Sequence, residues 1–272
     1  MTPRRVAAVI GFPVGHSLSP AIHQAAFDAA GVPWTYAAFE VLPGCGGAAV
    51  EAMRTLGLGG LSVTMPHKED VADAVDRLDP AAVALRSANT VSWDGDELVG
   101  SSTDGDGFVA SLTEAGCSVD GASVAVLGAG GAARSVIDAL GRAGARSIAV
   151  INRTPAAAEV AAALAPVAHV APVEVLAGVD VVVNATSVGM GADASLPCPP
   201  ELLSGRQVVA DLVYHPLRTP LLAAAERVGA GTVDGLGMLV HQAALQQLAW
   251  LGETPDPAVM RAAAERALAA RR

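Results

Sequence analysis

Aromatic side chains are scarce in this chain: four Phe, three Trp and two Tyr among 272 residues, 3% of the total. Rings cannot fill its interior, and with 52% of residues hydrophobic the core must be built from Ala, Val and Leu, in ample supply for a packed interior. Basic charge is short as well. Seventeen Lys and Arg against 27 Asp and Glu leave a formal net charge of −10, the wrong sign for partnership with nucleic acid or an anionic membrane. An anionic ligand must then be held by a few local donors rather than by the field of the whole molecule. Cys45, Cys117 and Cys198 are odd in number, far apart and form no Cys-x-x-Cys or Cys/His cluster, so neither a disulfide framework nor a structural zinc is expected, and a reducing cytoplasm fits. His16 and His23 lack a third ligating neighbour at useful spacing, so no metal is expected either. No apolar run reaches the ~18 residues of a membrane span. The stretch "VAAVIGFPVG" after Arg4 and Arg5 imitates a signal peptide, yet Pro13 and Gly15 break it early and no A-x-A cleavage site follows. A buried first strand is the simpler reading.

What is present has a regular order. Short apolar runs at 6–10, 61–65, 124–127, 148–151, 179–183 and 208–213 alternate with segments of helical period, which predicts an α/β chain with parallel sheets. The alanine-rich stretches 156–170 and 261–272 predict helix by propensity alone. At roughly 150 residues per domain the length suits two modest domains. The first boundary is expected between Gly105 and Gly121, where "GDGF" opens a helix and turn signals precede the next strand. A return crossing is expected near Asp234 to Gly237, ahead of the buried-helix pattern "MLVHQAALQQLAWLG". The chain thus leaves its first domain (1–105), builds a second (106–236) and comes back (237–272).

One constellation reads as a nucleotide site. "SVAVL" runs straight into Gly128, Ala129, Gly130, Gly131, Ala132 and Ala133, a G-x-G-x-x-A series between a strand and a helix. Gly128 permits the tight turn, Gly130 lets a pyrophosphate approach the backbone, and Ala133 keeps helix and strand close, while the helix start offers free amides to the phosphate. An NAD site places a carboxylate ~20 residues on. Here "SIAVINRT" supplies Asn152, Arg153 and Thr154 instead, and a guanidinium beside a hydroxyl suits a 2′-phosphate and can stack on adenine. The cofactor implied is NADP.

A second constellation reads as a site for a small hydroxylated acid. In "SVTMPHK" a strand carries Thr64 to its carboxyl end and Pro66 turns the chain so that Lys68 opens a helix. The helix dipole disfavours an ammonium there, so Lys68 invites another role. With Asp104 of "STDGDGF" nearby it could exchange a proton with a carbonyl or hydroxyl oxygen. Ser17 and Ser19 in "GFPVGHSLSP", Asn89 and Thr90 in "SANTV", and Gln242 offer short polar groups. The serines beside Pro20 could equally form a helix cap without any ligand.

Taken in order, "GFPVGHSLSP", "SVTMPHK", "SANTV", "STDGDGF", "GAGGAAR", "NRT", "NATSVGM", "DLVYHPLRTPLL" and "GLGMLVHQ" resemble the shikimate dehydrogenases over nearly the whole chain. The resemblance implies an α/β fold of two domains: an N-terminal α/β substrate-binding domain and a Rossmann-type NADP-binding domain, with C-terminal helices returning to the first. It implies NADP-dependent, reversible reduction of 3-dehydroshikimate to shikimate in aromatic amino-acid biosynthesis, by a cytoplasmic monomer or homodimer. By the same resemblance Lys68 and Asp104 are the catalytic pair and Lys68 the acid/base group. Ser17 and Ser19 bind the substrate carboxylate, Thr64, Asn89 and Gln242 hold hydroxyls with Asp104, and Tyr214 lies near the substrate. Gly128, Ala129, Gly130, Gly131, Ala132, Asn152, Arg153 and Thr154 match the NADP loops, with Gly235 and Met238 beside the nicotinamide. Ser102 departs from the usual Asn before Thr-Asp-Gly, and His67 stands where relatives often carry an aromatic or apolar residue; packing is the only reading of it here. A relative acting on quinate or an amino analogue, and a nucleotide-binding regulator without catalysis, are the competing readings.

Overall fold

The computed structural model describes residues 5–271, so Arg4 and Arg272 lie outside it. In chain order the elements are β1 (Arg5–Gly11), α1 (Ser19–Ala29), β2 (Trp34–Glu40), α2 (Gly46–Leu56), β3 (Gly60–Val63), α3 (Lys68–Ala74), β4 (Arg77–Leu78), α4 (Pro80–Leu85), β5 (Thr90–Asp94) and β6 (Glu97–Ser101). Then follow α5 (Asp104–Glu114), β7 (Ser123–Leu127), α6 (Gly131–Arg142), β8 (Ser147–Ile151), α7 (Pro155–Ala162), β9 (Ala168–Val170), β10 (Val181–Asn184), β11 (Val208–Asp211), α8 (Pro220–Arg227), β12 (Gly231–Val233), α9 (Gly235–Leu251) and α10 (Pro257–Ala269). The described chain divides into two compact units, one running to Thr103 and resuming at Gln242, the other spanning Asp104–His241. Among the described residues no helix is long and apolar enough to cross a membrane.

The first unit holds a six-stranded sheet in the order β2-β1-β3-β5-β6-β4. It is mixed rather than parallel as expected: β5 runs antiparallel to both β3 and β6. A two-residue turn at Gly95 and Asp96 closes the β5–β6 hairpin, with Gly95 at φ 62°, the backbone that glycine adopts at the first centre of such turns. Val91, Leu98, Ile10, Leu61, Val63 and Met53 pack one face, and Phe27, Trp34, Tyr36 and Trp250 gather on the other.

The second unit is a parallel sheet, order β12-β11-β10-β7-β8-β9. Counted along the chain from β7, this is the doubly wound order 3-2-1-4-5-6, with its switch point between β7 and β10. Fully buried Val124, Val126, Ile148, Val150 and Val183 read as continuous apolar runs because helices cover both faces. The stretch 156–170 is only half helix. It folds into α7 and then the edge strand β9, since pairing with β8 outweighs alanine's propensity at its far end.

His23 sits wholly buried in the first unit, stacked on Tyr36 at 4.3 Å. Burial pushes its imidazole down to about 3, against a weaker opposing hydrogen bond to Gln246. Because the folded value lies below the unfolded one, the unfolded chain binds the extra proton between about pH 6.5 and pH 3, and stability falls on acidification through that window. Urea unfolding at pH 7 and pH 5 should show the wild type losing about 2 kcal/mol more than His23→Gln; equal losses would show that His23 does not carry this acid sensitivity.

Candidate active site

In the first unit the polar residues gather at the carboxyl ends of β1, β3 and the start of β5. The chain leaves β3 through a turn in which Thr64 N–H donates to Ile10 O at 2.9 Å, Phe12 N–H to Met65 O at 3.0 Å and His67 N–H to Thr64 O at 3.1 Å. The Met65–Pro66 peptide is cis, and His67 is the capping position of α3, so Lys68 is its first residue, half-buried. His67 has a role beyond packing: it is fully buried and its Nε2 donates to Val41 O at 2.8 Å. It thereby ties the segment after β2 to the turn that presents Lys68. Ala88 N–H donates to Lys68 O at 3.0 Å, anchoring the helix start beside Asn89.

Lys68 is also the only lysine in the sequence; the other side chains that carry a full positive charge are all arginine. In a chain that otherwise meets its surface-charge needs with arginine, a solitary half-buried lysine is poorly explained as a solvated charge.

Asn89 is held with one polarity. Its Oδ1 accepts from Thr103 N–H at 2.9 Å and from the Thr90 hydroxyl at 2.8 Å, which leaves the amide N–H groups to reach Thr103 Oγ1 at 3.0 Å and Gln242 Oε1 at 3.5 Å. Asn89 therefore offers hydrogen-bond donors. Ser17 and Ser19 are not a helix cap: the capping residue of α1 is Leu18 and no side chain caps it. Ser17 Oγ instead accepts from Ser19 N–H at 3.2 Å. Arg271 donates to the carbonyls of His16 at 2.7 Å and Ser17 at 3.2 Å, a clasp from the far end of the chain that no local motif announces.

In the second unit, Gly128 follows β7 with φ 115°, and a Cβ there would come within 2.9 Å of Ala185 O. Glycine is required by both conformation and space. Gly130 caps α6, whose first turn holds exposed Gly131 and Ala132, so free amides face outward at the helix start. A cavity of about 550 Å³ opens here, lined by Gly128, Ala129, Gly130, Asn152, Arg153 and the segment 185–188. Among the described residues no carboxylate lines it. Asn152 Nδ2 donates to Thr154 O at 3.0 Å, shaping the loop that leaves Arg153 and Thr154 exposed.

Residues 185–188 carry no motif that singles them out as ligands. They are shaped by buried Asn184, which donates to Val188 O at 3.2 Å and Asp211 Oδ1 at 2.9 Å and accepts from Thr186 N–H at 3.1 Å. Burial raises the Asp211 carboxyl, opposed by bonds from Thr219, Val213 N–H and Asn184. Tyr214, half-buried, follows that loop after β11. Gly235 opens α9 so close to Leu212 that no side chain fits, and Met238 packs on the core of this unit. Asp104, half-buried, begins α5 directly after Thr103, where the helix dipole favours a carboxylate. Lys68 and Asp104 belong to different units, as do Gln242 and Tyr214.

Three family descriptions match the chain: shikimate dehydrogenase substrate binding domain over residues 9–91, shikimate/quinate 5-dehydrogenase over 111–190, and shikimate 5′-dehydrogenase C-terminal domain over 235–265. A shikimate dehydrogenase (NADP+) of Rubrobacter xylanophilus is 44% identical over 265 residues, covering 94% of this chain and 93% of that protein. The chain belongs to the shikimate dehydrogenase family.

Solved structures of this family superpose closely. Shikimate 5-dehydrogenase from Thermus thermophilus, in complex with NADP(H) and shikimate, is 36% identical with TM-score 0.88, covering 97% of this chain and 99% of that one. The fold also serves another substrate: 5-ketofructose reductase of a Gluconobacter strain is 32% identical with TM-score 0.91, covering 98% and 99%. Within the family, the glycine cradle and the carboxylate-free cavity lining fit a phosphorylated dinucleotide.

Proposed function

We propose that this family member reduces 3-dehydroshikimate reversibly to shikimate with NADPH, and that Lys68 is its acid/base group. The solitary lysine at the β3–α3 turn carries this reading. In domain terms, 1–105 with 237–272 binds substrate and carries the acid/base chemistry, and 106–236 binds NADP.

Bound NADPH supplies the hydride. The residues of this chain then have distinct tasks. Ser17 and Ser19 grip the substrate carboxylate, and Asn89, whose oxygen is occupied by Thr103 N–H and the Thr90 hydroxyl, donates through its N–H groups to a substrate hydroxyl. Thr64, Gln242 and Tyr214 hold the remaining oxygens. As hydride reaches the C3 carbonyl carbon, the Lys68 ammonium gives its proton to the developing alkoxide, so ketone plus hydride plus proton yields the alcohol. Asp104 orients that oxygen. On the nucleotide side, Gly128 to Ala132 accommodate the pyrophosphate, Asn152, Arg153 and Thr154 hold the 2′-phosphate, and Gly235 and Met238 border the nicotinamide.

Initial rates of nicotinamide reduction test this in a two-by-two design, shikimate or quinate with NADP or NAD. A rate confined to shikimate with NADP is expected. A preference for quinate would overturn the substrate reading, a preference for NAD would overturn the reading of the 152–154 loop, and tight NADP binding without turnover would indicate a regulator.

A further inference from the structure

Helix α9 grips Asn89 at two points, and the proposed chemistry uses only one of them. Asn89 Nδ2 reaches Gln242 Oε1 at 3.5 Å, the outer limit of a hydrogen bond, so that N–H is the one a substrate oxygen can take over. One turn further along the same helix face, Gln246 Nε2 donates to the backbone carbonyl Asn89 O at 3.1 Å. That carbonyl also accepts from Val63 N–H at 2.7 Å. β3 and α9 thus converge on one atom of the residue that offers its side chain to substrate.

The partners of Gln246 fix its polarity. A carbonyl only accepts, so Nε2 must face Asn89 O and Oε1 must face Ser62 and His23. Ser62 O–H donates to that oxygen at 2.6 Å and His23 Nε2–H at 3.1 Å. His23 is held in this tautomer by Gln247 Nε2, which reaches its Nδ1 and its carbonyl at 3.1 Å each. With the Ser62 proton committed to Gln246, Tyr36 O–H donates to Ser62 Oγ at 2.6 Å. All of these side chains are buried. Buried polar groups are costly unless they are bonded, and apolar side chains could fill the same space without that requirement. A bonded network in their place fixes one arrangement of the elements it joins. Here it joins α1, β2, β3 and α9, and its remaining bond is the one to Asn89 O.

We propose that Gln246 is a positioning residue for Asn89: it holds the Asn89 backbone against α9, so that the side-chain amide stays beside Gln242, where it can engage a substrate hydroxyl. This rests on the reading of Asn89 as a substrate ligand.

Steady-state kinetics of the full-length protein, for wild type, Asn89→Ala, Gln246→Met and the double variant, test both levels. Methionine matches the length of glutamine without its hydrogen bonds. One lost hydrogen bond to substrate is expected to raise the shikimate KM about three- to tenfold in Asn89→Ala. Gln246→Met should raise it at least about twofold and no further than Asn89→Ala does, with the NADP KM unchanged and kcat within about twofold. The double variant should be no worse than Asn89→Ala, because Gln246 acts through Asn89. A rise with Asn89→Ala but none with Gln246→Met would overturn the inference and leave the ligand reading standing. Additive effects would overturn it too, and so would a fall in kcat or a rise in the NADP KM with Gln246→Met, which would mark general damage to the fold. No rise with Asn89→Ala would overturn the ligand reading and the inference together. If Gln246→Met fails to fold, the triple variant Tyr36→Phe, Ser62→Ala, Gln246→Met removes the Tyr36 and Ser62 hydroxyls along with the amide they depend on, a replacement of partners together that is far milder than orphaning them. It still deprives Asn89 O of its bond from α9. The same rise confined to the shikimate KM would support the inference, and an unchanged KM would overturn it.

Discussion

Lys68→Ala is expected to lower kcat by about 10² to 10⁴, the range for a lost acid/base group, with little change in the shikimate KM. The reason is geometric as much as chemical. Lys68 is the first residue of α3, behind a turn pinned by hydrogen bonds to β1 and by His67 to Val41, so its Cα is set by backbone that the substitution leaves alone. The loss then reports the ammonium itself. Since Lys68 is the only lysine, amine-directed acetylation, which removes the charge, gives an independent check: inactivation should track modification of this side chain, and saturating shikimate should slow it. Near-normal kcat in the alanine variant would remove Lys68 from the role assigned to it.

Arg153→Ala is expected to weaken NADP by about 10- to 100-fold, the scale of a lost charge-assisted hydrogen bond, while NAD changes little. Arg153 lines the cavity at the end of β8, and no carboxylate there would repel a 2′-phosphate. Electrostatic attraction to the 2′-phosphate is present only in NADP, so the two cofactors separate the phosphate contact from general damage to the loop. Titrating each cofactor against the variant by quenching of protein fluorescence measures this directly, and equal losses for both would show that Arg153 does not read the phosphate.

The two halves of the chain are not equally legible. In the second unit, buried parallel strands appear as uninterrupted apolar runs, and β7, β8, β10 and β11 lie within or near the stretches that pattern marks. In the first, β2 and β5 escape the same reading. β2 is an edge strand that exposes its last residues, and β5 is short and turns polar after Val91, so neither presents a long apolar run. The Asp94-Gly95-Asp96 hairpin signal is present in the sequence, and with it the antiparallel pairing that makes the sheet mixed.

Among the candidate site residues, motif and spacing are enough to single out Lys68, Asn89, Gly128 and Arg153, because the chemistry proposed for each depends on side-chain type and a local turn. That Lys68 is the lone lysine needs only counting. Other features are not written locally. His67 depends on Val41, the clasp on Ser17 on Arg271, and the segment 185–188 on Asp211. Each is a hydrogen bond between residues far apart in sequence, brought together by the packing of the fold and not by a local motif.

What the sequence by itself determined is the class of fold and the glycine turn with its cofactor, and it supplied the candidate groups for the proposed chemistry, since these follow from periodicity, backbone freedom and side-chain type. Only the tertiary structure decided the direction in which those groups point. Asn89 turns its N–H groups to Thr103 Oγ1 and Gln242 Oε1 because Thr103 N–H and the Thr90 hydroxyl occupy its oxygen, and Tyr36 donates to Ser62 because the Ser62 proton goes to Gln246 Oε1, which can only accept. Polarity of this kind is a property of a closed network, and the network exists only once β2, β3, β5 and α9 are packed together.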